Sequence, residues 1–170
     1  MLERLPEWIV PIPLVEAKRE IAGPIALASM ERLAPLLYGQ QETAHVHLHF
    51  GTDDAGIRFI SGTIQGNIVV TCQRCLEALT IPLNVKVRLG VVHDAATGER
   101  LPKWYEPLIV TGDPVRLTDL IEDELILCLP SVPTHGESEL CKPPRPLVQQ
   151  QPEPAKKNPF AVLETLKHQS

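Results

Sequence analysis

The feature of this sequence that most restricts its fold is a regular alternation of apolar and polar residues from Leu79 to Leu89. Successive side chains of a β-strand point to opposite faces of a sheet, so this period of two predicts a strand with one buried and one solvated face. The residues expected to point inward are Leu79, Ile81, Leu83, Val85, Val87 and Leu89, and those expected outward are Thr80, Asn84, Lys86 and Arg88. Such a strand predicts an antiparallel sheet with one packed face.

Other segments supply candidate neighbours for this strand. Residues 44–50 alternate three histidines with three apolar side chains, and residues 57–71 repeat the alternation after a turn-rich stretch, which predicts a hairpin. Residues 106–110 predict a short strand, and residues 28–37 a short helix. Residues 8–14 are apolar but contain prolines, which cannot donate ladder hydrogen bonds, so an edge strand is expected there. The apolar face of the hairpin is expected to carry Val46, Leu48, Phe50, Ile60, Ile64, Ile68 and Val70.

The main helix is predicted over residues 114–128, with Asp113 as N-cap, proline at the first helical position and Pro130 as the stop. Glu124 falls within its apolar stripe, where an ionised carboxylate is costly unless it is paired. Either Arg74 pairs with it, or the helix is rotated enough to expose it. The apolar face is expected to carry Leu117, Leu120, Ile121, Leu125 and Cys128, with Arg116, Asp119, Glu122 and Asp123 pointing away.

The C-terminal part of the chain has a different composition. Residues 142–157 are rich in proline and glutamine, which predicts a linker without a core of its own. Residues 158–170 begin with asparagine and proline, a cap and first-turn pair, and a short helix is expected at about 159–167. This segment either docks onto a partner through Phe160 and Leu163 or packs back on its own domain.

Together these elements predict an α+β fold, mainly an antiparallel sheet or a partly open barrel, with one main helix and a short C-terminal helix. The 170 residues fit a single β-rich domain over residues 1–141, followed by the linker and a C-terminal docking segment. No stretch approaches the ~20 apolar residues that cross a bilayer, and the N-terminus lacks a secretory pattern, so a cytoplasmic protein without a membrane partner is expected. In that reducing compartment cysteines are more often free, metal-bound or catalytic than disulfide-bonded.

Four short stretches stand in an order and spacing typical of one known family. They are Cys72-Gln73-Arg74-Cys75, Tyr105-Glu106-Pro107, residues 120–130 and residues 158–163. Together they resemble the YceD family, the large ribosomal RNA subunit accumulation proteins, over roughly residues 55–167. The resemblance implies a bacterial factor in ribosome biogenesis, needed for the synthesis, processing or stability of 23S rRNA, with no enzymatic reaction.

Cys72 and Cys75 form a candidate half of a zinc site, because two thiols separated by two residues can hold one metal from a tight turn. Zinc requires four ligands, and the downstream candidates are His135 and Cys141. Zinc is therefore the candidate cofactor, and no other is predicted. Two alternatives stay open: an unmetallated turn at a strand end, and redox use. The pair precedes a strand, however, and not the helix N-terminus at which a thiolate is stabilised.

A net charge of -5 argues against broad adhesion to nucleic acid, so contact with a 23S rRNA precursor would require a local patch. Lys86 and Arg88 on one sheet face, with Arg74 nearby in sequence, are the candidate RNA-binding residues. No aromatic residue is interleaved among them, so contacts to phosphates are expected and base stacking is not. The histidines of residues 44–50 are expected to form a solvated face.

Three functions compete on this basis. The first is a non-catalytic adapter for ribosome assembly or rRNA-processing proteins, with Glu122, Asp123, Phe160 and Leu163 as candidate partner-binding residues. The second is a direct rRNA-binding module, and the third is a thiol- or zinc-dependent protein that uses the paired cysteines. No nucleophile, base and oriented acid form a recognisable motif, so no enzyme and no small-molecule substrate are expected.

Overall fold

The computed structural model describes residues 5–39, 43–136 and 141–143. Within them, seven strands alternate with short helices. In chain order the elements are β1 (Trp8–Ile9), α1 (Pro11–Glu16), β2 (Glu20–Ala26), β3 (Thr43–Thr52), β4 (Arg58–Thr71), β5 (Ala78–Val92), α2 (Ala95–Gly98), β6 (Glu106–Ile109), β7 (Val115–Arg116) and α3 (Leu117–Cys128). Two 3-10 helices, Leu27–Ser29 and Ala34–Leu36, lie between β2 and β3.

Five of these strands form one sheet in the order β2-β3-β4-β5-β6. The first four are antiparallel, and β6 runs parallel to β5. β1 and β7 pair separately as a two-stranded sheet. The predicted α+β class with a mainly antiparallel sheet is confirmed. Because the strand order is linear, with β2 and β6 at its two edges, the sheet is open and not a closed barrel.

One face of the sheet forms the core, as the alternation predicted. Val46 of β3 lies opposite Ile64 of β4, which in turn lies opposite Val85 of β5, so apolar residues form transverse rows across the strands. Helices α1 and α3 pack on this same face. The residues that enter the core from the three central strands include Ala44, Val46, Leu48, Phe50, Ile60, Ile64, Ile68, Val70, Leu83, Val87 and Leu89, and the helices add Val15, Leu117, Leu120, Ile121 and Leu125.

Gly62 interrupts the row of branched side chains on β4 for a steric reason. A Cβ atom at this position would lie 1.9 Å from the carbonyl oxygen of His47 on β3. The backbones of the two strands therefore approach each other too closely here for any side chain, and glycine is the residue that permits it.

The prediction of an edge strand over residues 8–14 is wrong. Only Trp8–Ile9 is a strand, and Pro11–Glu16 forms α1. Pro11 stands at the start of this helix, where its missing N–H and fixed φ are tolerated, so the prolines that excluded a central strand are compatible with a helix N-terminus. The single short helix predicted over residues 28–37 is likewise replaced by the two 3-10 turns.

The main helix begins at Leu117 and not at residue 114. Its N-cap is Arg116, which makes no side-chain cap hydrogen bond. Val115 and Arg116 are extended because they pair with β1, and Asp113 accepts a hydrogen bond from Thr111 Oγ1 at 2.8 Å. Strand pairing with a distant segment therefore displaced the local cap signal, whereas the predicted end at residue 128 is confirmed.

Most of the predicted linker 142–157, and all of the predicted docking segment 158–170 with its helix, lie outside the described residues. Within the described ranges, no helix combines the length and the apolar character needed to cross a membrane.

Candidate metal centre and predicted binding residues

Cys72 and Cys75 lie in the turn that joins β4 to β5. The N–H of Cys72 donates to the carbonyl of Glu77 at 2.9 Å, and the N–H of Leu76 donates to the carbonyl of Cys72 at 2.9 Å. Leu76 adopts a φ of 65°, a left-handed conformation that costs a non-glycine residue roughly 1–2 kcal/mol. The chain thus accepts an unfavourable angle directly after the second cysteine, where it re-enters β5.

The segment after α3 supplies two further ligand candidates. The N–H of Gln73 donates to the carbonyl of Pro133 at 2.8 Å, which ties the cysteine turn to this segment. The Sγ atoms of Cys72, Cys75 and Cys141 and a ring nitrogen of His135 all lie within 4.8 Å of one another. The four residues predicted as a metal site are therefore brought together by the fold.

The spacing of the ligand atoms fits a zinc ion. Cys72 Sγ lies 3.6 Å from Cys141 Sγ, and Cys75 Sγ lies 3.4 Å from His135 Nδ1. With Zn–S bonds of about 2.3 Å and Zn–N bonds of about 2.0 Å, tetrahedral geometry places neighbouring ligand atoms roughly 3.5–3.8 Å apart. These two separations are close to the tetrahedral values, and the remaining pairs, all within 4.8 Å, would contract around an ion.

His135 is held in the tautomer that metal binding requires. Its Nε2 atom lies 3.0 Å from the carbonyl oxygen of Ala78. A carbonyl oxygen only accepts hydrogen bonds, so Nε2 carries the proton and Nδ1 of the neutral ring carries the lone pair. That lone pair faces the thiols. A carbonyl that orients a histidine through its second nitrogen is the usual outer partner of a zinc-bound imidazole.

The electrostatics of the turn favour a thiolate at Cys72. Burial alone would raise the pKa of this thiol, but the backbone N–H groups of Cys75, Arg74 and His135 donate to the sulfur and lower its pKa to about 5. Burial and the neighbouring thiols raise the pKa of Cys141. Both sulfurs are buried, so a cation among the four ligands would compensate their charge in a site shielded from water.

Four protein ligands would complete the coordination of a zinc ion. Structural zinc sites are closed in this way, whereas catalytic zinc sites keep one position for water or substrate. A zinc ion would supply a crosslink here, because it would join the β4–β5 turn to the segment that follows α3. The donor set therefore suits a structural centre.

Cys128, the one cysteine of the sequence outside the candidate zinc ligands, is not in this cluster and not in the core. It is exposed at the end of α3, where its Sγ atom donates to the carbonyl of Leu125 at 3.1 Å. The prediction that Cys128 belongs to the buried face is wrong: Leu117, Ile121 and Leu125 of that face are buried, but Cys128, the last residue of the helix, is exposed.

Glu122 also departs from the predicted faces of α3. It was predicted to point away from the body, yet it is only 2% exposed. Its Oε1 atom accepts hydrogen bonds from the backbone N–H groups of Arg32 and Leu33 at 2.6 and 2.8 Å, and Arg32 Nε donates to Oε2 at 3.0 Å. Burial alone would raise the pKa of Glu122, but these hydrogen bonds and the guanidinium lower it. Asp123 is exposed and pairs with the same arginine.

Glu124 has no such partner. It is half-buried, and burial together with the negative charges of Glu106 and Asp123 raises its pKa. Among the described residues, no ion pair joins it to Arg74. The predicted pairing of these two residues is wrong, and the paired carboxylate is Glu122. Nothing in the sequence near Arg32 signals this contact.

The candidate RNA-binding residues do not form one patch. Lys86 and Arg88 are exposed on β5, on the face opposite to the core, whereas Arg74 is exposed in the cysteine turn. Eight residues of extended strand separate Lys86 from Ala78, the first residue of β5 after the turn, and this corresponds to roughly 27 Å. Arg74 therefore stands at the far end of the hairpin.

Aromatic side chains lie beside Arg88, contrary to the prediction made from the sequence. Phe59 is opposite Gly90 in the β4–β5 ladder, two residues from the position opposite Arg88. The rings of Phe59 and Tyr105 are stacked with centroids 6.3 Å apart, and Trp104 continues the cluster 6.4 Å from Tyr105. Phe59 is 29 positions from Arg88 in sequence, and Trp104 and Tyr105 are 16 and 17 positions away, so the pairing of the strands brings them together.

Of the predicted partner-binding residues, Phe160 and Leu163 lie outside the described residues. Glu122 is occupied by Arg32 and Leu33, so of the two acidic residues predicted to bind a partner only Asp123 presents its carboxylate at the surface.

Comparison with known proteins gives one consistent result. The family model described as "Large ribosomal RNA subunit accumulation protein YceD" matches residues 60–167. A protein of Haemophilus influenzae that bears this same description is 34% identical over 173 residues, covering 96% of this chain and 97% of the relative. No solved structure matches the chain. The matched region contains both cysteines of the turn, the whole of β5 and α3, so the chain belongs to the YceD family.

Proposed function

We propose that this protein is a cytoplasmic, non-catalytic factor in the accumulation of 23S rRNA, the RNA of the large ribosomal subunit. We further propose that a structural zinc ion held by Cys72, Cys75, His135 and Cys141 stabilises its body. The observation that carries this proposal is the convergence of these four ligand atoms within 4.8 Å of one another. A closed set of four protein ligands suits a structural ion and leaves no coordination position for a reaction.

The factor acts as an adapter for ribosome assembly or rRNA-processing proteins. Support comes from the surface around the end of α3, where Leu127 is 73% exposed and Val132 is 66% exposed. Asp119 and Asp123 are exposed on the same helix. Exposed apolar side chains bordered by charges are typical of protein interaction sites, whereas a site for a small-molecule substrate is usually a concave pocket with convergent polar groups.

The docking segment 158–170 supplies the second contact with protein partners, through Phe160 and Leu163. The proline-rich linker 142–157 would let this segment reach a partner while α3 remains bound, which raises the local concentration of the second contact. Two weak contacts joined in this way bind more tightly than either alone.

The test is the ratio of large-subunit to small-subunit rRNA in cells whose only copy of the protein carries the double variant Phe160→Asp/Leu163→Asp. We expect this ratio to fall, and free small subunits to accumulate in sucrose gradients, while the purified variant keeps the melting temperature of the parent. The matched control is Gln149→Asp/Gln150→Asp in the linker, which adds the same two charges and should leave the ratio unchanged.

An unchanged rRNA ratio in the Phe160→Asp/Leu163→Asp cells would contradict the adapter proposal. So would an equal fall in the linker control, because the effect would then come from added charge and not from loss of the apolar contact.

A further inference from the structure

The face of the sheet opposite to the core is exposed at Lys86 and Arg88, and Leu101 packs over Gly90, two residues beyond Arg88. We call this face the outer sheet face, and the described helices α1 and α3 both pack on the other side. Its three central strands place side chains in register, so His49, Ser61 and Arg88 form one transverse row and His47, Thr63 and Lys86 form the next. Arg88, Lys86 and His47 are exposed.

A pair of cations, Lys86 and Arg88, lies on the outer sheet face. Neither Lys86 nor Arg88 forms an ion pair with any described residue, although acidic residues outnumber basic ones in the chain by 21 to 16. The one acidic side chain of the neighbouring strand β2 that approaches the face, Glu20, lies 3.7 Å from His47 and 3.5 Å from His49. Lys86 and Arg88 thus lie side by side on one sheet face without an acidic partner among the described residues, in a protein of net charge -5.

An aromatic cluster borders these cations. Phe59 lies over Gly51, where a Cβ atom would be only 3.0 Å from the Phe59 ring. The centroids of the His49 and Phe59 rings are 5.7 Å apart, and His49 belongs to the same transverse row as Arg88. The hydroxyl of Tyr105 donates to Asp53 at 3.2 Å, which fixes the ring that stacks on Phe59. Glycine packing explains the position of Phe59, but it does not explain Trp104, which is 62% exposed at the end of the cluster.

We propose that the outer sheet face binds single-stranded RNA, with bases stacked on the cluster of Trp104, Tyr105 and Phe59 and with phosphates paired to Arg88 and Lys86. Stacking needs bases that are free of a duplex, and exposed Trp104 beside the partly exposed rings of Tyr105 and Phe59 offers a surface for them, whereas duplex RNA is contacted through its minor groove and backbone. The neighbouring cations Lys86 and Arg88 supply the positive charge that pairs with the phosphates.

This surface goes beyond the adapter function, and only the identity of the RNA as ribosomal rests on that function. An adapter with α3 on one side of the sheet and an RNA site on the other could hold a protein and an unfolded RNA segment together.

Two phosphate contacts make a quantitative prediction for salt dependence. For a single strand, the slope of log Kobs against log salt is about -0.7 for each neutralised phosphate, so Lys86 and Arg88 together predict a slope of about -1.4. The double variant Lys86→Glu/Arg88→Glu should reduce this slope to near zero.

The experiment is fluorescence anisotropy of the full-length protein with a labelled oligouridine of about 10 nucleotides, a length within the usual range for single-stranded RNA sites. We expect binding at low salt that weakens about tenfold or more in Trp104→Ala, because one stacked base is lost. Since Trp104 is exposed, the variant should fold normally, and its melting temperature checks this. The control for Lys86→Glu/Arg88→Glu is Arg74→Glu/Lys142→Glu. It makes the same change of charge on exposed residues beside the candidate metal centre and should bind RNA like the parent.

Absence of binding to the oligouridine at low salt would overturn the proposal. A loss of affinity in Arg74→Glu/Lys142→Glu equal to that in Lys86→Glu/Arg88→Glu would also overturn it, because binding would then depend on the net charge of the protein. Tighter binding to the oligouridine annealed to its complementary strand than to the single strand would overturn it as well. If RNA binding is absent but Trp104→Ala still lowers the large-subunit rRNA ratio in cells, the face serves a protein partner and the RNA proposal is wrong. None of these results bears on Phe160→Asp/Leu163→Asp, so the adapter function is tested separately.

Discussion

The Nη2 atom of Arg32 lies 3.0 Å from Oε2 of Glu122, an ion pair that fastens the segment between β2 and β3 to α3. The carboxylate is buried while the guanidinium is about half exposed, so the charge of Glu122 is neutralised from the solvent side. The other carboxylate oxygen receives two backbone N–H groups from Arg32 and Leu33. One side chain therefore satisfies three donors of a segment that has little regular structure.

Replacement of Glu122 should destabilise the protein strongly. Glu122→Ala leaves the N–H groups of Arg32 and Leu33 without an acceptor, and we expect a loss of about 2–4 kcal/mol in the free energy of unfolding. Glu122→Gln keeps one oxygen for the two N–H groups and should lose less. The matched control Asp123→Asn removes an exposed partner of the same arginine and should cost under about 1 kcal/mol. Urea unfolding measures all three, and equal losses in Glu122→Ala and Asp123→Asn would contradict this account.

Acid should remove the contribution of Glu122. The pKa of this carboxyl is lowered in the folded state, so its stabilisation is present above the unfolded pKa of about 4.3 and is lost as the pH falls through the lower folded value. We expect the stability difference between the parent and Glu122→Gln to be largest above about pH 5 and to shrink below pH 4. Both proteins contain the same cysteines, so acid effects on the metal centre cancel. A difference that stays constant down to pH 3 would show that the charge plays no part.

Glu124 should behave in the opposite sense. Burial and the charges of Glu106 and Asp123 raise its pKa, so the ionised form is unfavourable in the folded state, and this cost grows as the pH rises through the folded pKa. We expect Glu124→Gln to raise the melting temperature at pH 7. It should have no effect below about pH 4, where Glu124 of the parent is protonated and as neutral as the glutamine that replaces it. Glu99→Gln, at an exposed position beside α2, is the control and should change little at either pH. A lower melting temperature for Glu124→Gln at pH 7 would mean that the carboxylate has a partner.

The sheet was predictable because its signal is local. Alternation in residues 79–89 is a property of consecutive residues, and a residue such as Ile64 needs no distant partner to reveal that it faces a core. The clustering of the four candidate metal ligands was predictable for a related reason, since only a few histidines and cysteines follow the cysteine pair and zinc needs four ligands.

Three of the errors share a non-local cause. Asp113 and a following proline have the local chemistry of a helix start, but pairing of Val115 and Arg116 with β1, more than a hundred positions away, keeps that stretch extended. Arg32 likewise lies 90 residues from Glu122, and without that partner an amphipathic wheel places Glu122 in solvent. The aromatic cluster could not be predicted from the sequence, because Phe59 contacts Tyr105 through the pairing of β4 with β5 and of β5 with β6.

The metal content of the purified protein tests the central claim most directly. We expect one zinc ion per chain in the parent protein and in Cys128→Ser, because Cys128 is exposed and lies apart from the cluster. Cys141→Ser removes one of four ligands and should lose most of the zinc, with a lower melting temperature that chelation of the parent protein reproduces. A parent protein purified without zinc that neither binds added zinc nor melts higher in its presence would contradict the account, as would full retention of zinc in Cys141→Ser.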